Sequence, residues 1–138
     1  RWRGRATVSD RLVLVLHAGF LFAALGFLFT GAAALMPGLV SPAAAVHVWA
    51  IGAIGTMTLA MMTRATLGHS GLPLAASAGT QAIYLAVAVA MIMRVAAEFA
   101  PEWAPILLYG AAIAWTLAFA GFVVVYGPSL AGSSRRNG

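Results

Sequence analysis

The chain contains no cysteine and little charge: eight basic and three acidic residues in 138, 8% charged against 62% hydrophobic. The first absence excludes disulfides, thiolate metal centres and cysteine-based catalysis. The second excludes a soluble globule, because so few charged side chains cannot cover a surface that faces water. Soluble domains carry about 25% charged residues and about 45–50% apolar ones, whereas the mean hydropathy here is +0.95. Also missing are a phosphate-cradling glycine loop, a Gly-x-Ser-x-Gly elbow, and any carboxylate within a long apolar run. Asp10, Glu98 and Glu102 are all peripheral, which argues against a carboxylate-based proton pump in this segment. The net charge of +5 would suit nucleic acid, but its positions do not. Arg1, Arg3, Arg5 and Arg11 precede the first apolar run, and Arg135 and Arg136 follow the last, where basic side chains meet lipid headgroups. No nucleic-acid partner is expected.

What the sequence does contain is four apolar stretches of roughly 20–25 residues, each able to cross a hydrocarbon core of about 30 Å. The predicted fold class is all-α: a polytopic transmembrane bundle of four membrane-spanning helices in a bilayer, over about 12–36, 43–67, 74–98 and 104–126. Pro37-Gly38, the Gly68 to Pro73 turn, Pro101 and Gly127-Pro128 punctuate these runs. Residues 129–138 read as a flexible tail, and 1–138 as one helical domain. With four spans both termini share a side with the second loop, and that side holds seven of the eight basic residues, all but Arg94. The bias of basic residues toward the cytoplasm predicts N-in and C-in. The first residue is Arg1, not Met, and reads as a processed product or a piece of something longer.

Ionisable side chains inside a membrane are expensive, so His17, His47 and His69 stand out. Each suits a heme or copper ligand, and each equally suits an interhelical hydrogen bond. No two of them have a local metal-ligand spacing. Arg64 reads either as a residue snorkelling to headgroups or as a cation for a buried anion. Met57, Met61 and Met62 read as packing more readily than as copper ligands. His47 and Thr58, eleven residues apart, are expected on one helix face, as are Ser77, Gln81 and Tyr84 at i, i+4, i+7. The latter stripe should face the bundle interior, and Arg94 and Glu98 can pair at i, i+4, although Arg before Glu is the weaker orientation.

The stretch from His47 through Gly52, Gly55, Met57, Thr58, Leu59, Met62, Arg64, Leu67, Gly68 and His69 to Gly71 resembles a recurring block of the NnrS family. His17 falls where that family also carries a histidine. Two departures accompany the resemblance: Leu72 stands where members have arginine, and members are about three times longer, with around twelve spans. The chain therefore looks like the carboxy-terminal third. The resemblance implies a multi-pass protein of the bacterial inner membrane, associated with heme b and copper and with the response to nitric oxide or denitrification. It also implies further transmembrane helices from a longer parent chain, another subunit or an oligomer. Two alternatives are a cofactor-free anchor or accessory subunit of a larger complex, and a segment of a transporter. On the heme reading, His17 and His69 are expected as the axial pair, with Arg64, Gln81 and Tyr84 beside them. His47 is then left for a second metal or a packing hydrogen bond.

Overall fold

A computed structural model describes residues 10–133, so Arg1, Arg3, Arg5, Arg135, Arg136 and the last five residues of the expected tail lie outside the described residues. The fold is all-α. Helix α1 is Arg11–Leu35, α2 is Pro42–His69, α3 is Ala78–Phe99 and α4 is Ala104–Ser133. All four are long and apolar enough to cross a membrane. Their outward faces carry Phe20, Leu21, Leu28, Ile106, Ile113 and Val124, a surface that a bilayer solvates and water does not.

Short polar side chains start the helices. Asp10 accepts from the amides of Leu12 and Val13 at 3.0 and 3.3 Å, and Ser41 accepts from Ala44 at 3.0 Å ahead of Pro42 in the first turn. Ser77 accepts from Thr80 at 3.2 Å. Helix α3 thus begins at Ala78 rather than near 74, because Ser77 is spent on the cap. Helix α2 runs two residues past its expected end and stops in a Schellman turn: Leu72 donates to Leu67 at 3.0 Å, Gly71 to Gly68 at 3.2 Å, and Gly71 has φ +65°. A 3₁₀ turn at Pro101–Trp103 leads into α4.

Two features depart from the expected pattern. Helix α4 does not stop at Gly127-Pro128 but continues through Pro128 to Ser133, so the first residues of the expected flexible tail are helical. Proline is tolerated in apolar helices where neighbours and local adjustment re-satisfy the backbone. Helix α2 is π-helical over Val48–Gly55. Its i→i+5 bonding takes more residues per turn, and so shifts the phase of everything beyond it. His47 is half-buried while Thr58 is exposed, so the expected common face is lost.

Small residues set the packing, as expected where lipid supplies no hydrophobic drive. A Cβ on Gly19 would lie 2.7 Å from the Met57 side chain, one on Gly26 2.7 Å from Trp49, and one on Gly52 3.0 Å from Phe22. These contacts run antiparallel along α1 and α2. Gly79 meets Val125 and Gly121 meets Ile83 in the same way across α3 and α4, both at 3.2 Å. Leu12, Leu59, Val87, Ala118 and Phe122 fill the centre.

Candidate functional site

Among the clefts that the described residues form, two bear on the candidate residues, one toward each end of the bundle. At the Arg94 end a cavity of about 490 Å³, open on one side, is lined by His47 and Ile51 of α2, Arg94 of α3, and Leu108, Trp115 and Thr116 of α4. Its size lies within the range of small-molecule sites, roughly 300–1,000 Å³. The Nδ1–H of His47 donates to the Ala43 carbonyl at 2.6 Å. A carbonyl can only accept, so this bond fixes the tautomer and leaves the lone pair on Nε2, the arrangement a metal-ligating imidazole adopts. Arg94 pairs with one oxygen of Glu98 at 2.8 Å, and Ser41 donates to the other at 2.7 Å. The carboxylate therefore ties the start of α2, a few residues before His47, to the end of α3. The indole of Trp115 packs at a tilt of 46° against Phe119, with ring centres 4.6 Å apart, and its edge fills the notch left by Gly55.

At the Arg64 end a pocket of about 240 Å³ opens between α1 and α3, with Arg11, Thr56, Gln81 and Tyr84 as its polar lining. Arg11 donates to the Gln81 side-chain oxygen at 3.3 Å, and the Gln81 amide donates to the Ala76 carbonyl at 3.2 Å. Half-buried Arg64 lies within electrostatic reach of the Tyr84 hydroxyl, which rests against Thr63 without a well-formed hydrogen bond.

The residues expected around one heme occupy separate places. Tyr84, Gln81 and Arg64 gather at the Arg64 end, but His17 does not join them. It follows buried Val15 by two residues, about 200° around the helix, and stands exposed on the side of α1 away from the bundle. Its Nδ1–H donates to the Val13 carbonyl at 2.9 Å, which again puts the lone pair on Nε2. The α1–α2 contacts set His17 near the level of Thr58. His69 ends α2 eleven residues further on, about 16 Å along the axis, and is exposed. Among the described residues, no three His, Asp or Glu side chains gather closely enough to hold a metal ion. The stripe expected of Ser77, Gln81 and Tyr84 is also divided: Ser77 caps the helix, Gln81 is exposed, and only Tyr84 turns inward.

The family model described as NnrS protein matches residues 1–134, nearly the whole chain. The chain belongs to the NnrS family. No curated protein and no solved structure matches it. In this NnrS chain the block that carries the resemblance spans α2, from half-buried His47 through the π segment to the Schellman turn after His69. The meeting of His47 with Arg94 and Trp115 had no signature in the sequence, because the three lie on different helices. The glycines of α2 were the one signal available: Gly55 is small because the Trp115 indole lies against it.

Proposed function

We propose that this chain is a heme-binding, multi-pass unit of a bacterial inner membrane that serves the response to nitric oxide, with both termini cytoplasmic. The observation that carries the reading is the His47 cleft, where an imidazole with its lone pair on Nε2 shares a cavity with a guanidinium and apolar walls. That donor set fits heme b. His47 would hold the iron through Nε2, Arg94 would face the group's acidic side chains, and Ile51, Leu108 and Trp115 would wall it. Heme bound there would supply an iron able to take nitric oxide. The protein's part is to orient the imidazole through Ala43, to hold Arg94 through Glu98, and to exclude water with the apolar walls.

We set the heme at the Arg94 end rather than among His17, His69, Arg64, Gln81 and Tyr84, because those five do not converge. His17 and His69 face outward, where they can meet helices from a longer parent chain or a second subunit. For the second metal implied by the family, no three His, Asp or Glu side chains gather among the described residues. The test is a reduced-minus-oxidised absorption spectrum of the purified chain in lipid. Soret and α bands at stoichiometric heme are expected. A chain that folds and stays featureless, even within its native complex, favours a cofactor-free anchor instead.

A further inference from the structure

The pocket at the Arg64 end is chemically unlike the His47 cleft, and the heme reading does not use it. Threonines in membrane helices ordinarily bond back to the carbonyl four residues earlier. Thr30, Thr66 and Thr116 do so, at 2.8, 2.8 and 2.9 Å. Thr56 does not. It is only 2% exposed, yet its Oγ1 has no hydrogen-bond partner, and neither has the buried Tyr84 Oη. Both residues line the pocket. Thr56 is the first residue after the π segment of α2. Two residues of the pocket lining thus hold buried hydroxyls without a well-formed hydrogen bond, that of Tyr84 lying against Thr63.

We propose that this pocket binds the head group of an uncharged, lipid-soluble carbonyl compound, the chemical class of the isoprenoid quinones. The ligand accepts hydrogen bonds, because Thr56 and Tyr84 are left with hydroxyl donors to satisfy. An uncharged ligand suits a lining with no acidic side chain, whose one cation, Arg11, is exposed and bonds Gln81. Gln81 closes that mouth rather than reaching inward, since its oxygen takes Arg11 and its amide goes to Ala76. The ligand arrives from the hydrocarbon phase, because the pocket opens between two membrane-crossing helices whose walls there are Leu14, Val15, Phe22 and Leu85. The inference is independent of heme at His47.

The test is a titration of the chain in lipid nanodiscs with a decyl-tailed benzoquinone. Saturable binding is expected, weakened about fivefold or more by Thr56→Val and by Tyr84→Phe and unchanged by Thr30→Val. Without quinone, the first two variants should unfold at a temperature no lower than the parent, because each removes an unpaired buried hydroxyl. Weakened binding then cannot be laid to misfolding. Simple partitioning without saturation, or binding that both variants retain, overturns the proposal. Displacement of the quinone by an equal concentration of anionic phospholipid also overturns it, and assigns the pocket to a lipid head group.

Discussion

Gly55 and Trp115 meet so closely that a Cβ on the glycine would stand 2.6 Å from the indole ring. The contact joins the π segment of α2 to the wall of the His47 cleft. Gly55→Ala forces the indole toward the cavity or pushes the helices apart. Overpacking of this kind costs about 1–3 kcal/mol. Thermal unfolding in detergent should show the loss, with heme content falling alongside it. A variant of parental stability and heme content means that the indole yields freely and the cleft is not shaped by this contact.

Glu98 takes Arg94 with one oxygen and Ser41 with the other. Glu98→Ala should destabilise the bundle by about 1–2 kcal/mol, since two hydrogen bonds to a charged group go at once in a half-buried setting. Ser41→Ala loses one of those bonds and the α2 cap together, and should cost about 1 kcal/mol. A double-mutant cycle reads the coupling. Additive losses would mean that the carboxylate does not link the two helices.

Pro128 sits within α4, where it leaves a backbone acceptor without its helical donor. Pro128→Ala should therefore raise the unfolding free energy, by up to about 3 kcal/mol. Destabilisation instead would show that the proline ring or a local kink packs against a neighbour.

Four helices were legible in the sequence because the membrane imposes length and apolarity on each of them, and little competes with that signal. Helix ends were harder. Gly127-Pro128 reads as a stop by soluble-protein rules, which apolar surroundings relax, while Ser77 reads as a helix residue although its hydroxyl caps the backbone. The i, i+4 pair of Arg94 and Glu98 was readable from spacing alone. Its third member, Ser41, was not, being 57 residues away. The π segment had no readable mark beyond its small residues, and it moved the phase by which His47 was aligned with Thr58. Candidate ligands were found because histidine is conspicuous in apolar runs. Depth can be read along the chain, whereas direction around the helix, which sets whether His17 faces the core, depends on how the helices pack.

Orientation has its own test. Single cysteines placed in this cysteine-free chain at Gly38 and Gly71, both in turns between helices, should react differently with a membrane-impermeant thiol reagent on intact cells. Gly38→Cys labels from outside and Gly71→Cys does not. The reverse pattern would invert the proposed topology.

The most direct measurement is heme per protein, at equal membrane expression, after replacing each histidine by alanine in turn. His47→Ala should remove the heme spectrum while His17→Ala and His69→Ala leave at least half of it. Loss of a packing hydrogen bond alone would cost about 1–2 kcal/mol and leave the spectrum unchanged. Retention of heme by His47→Ala, with loss in both His17→Ala and His69→Ala, would contradict the account and return the heme to the Arg64 end.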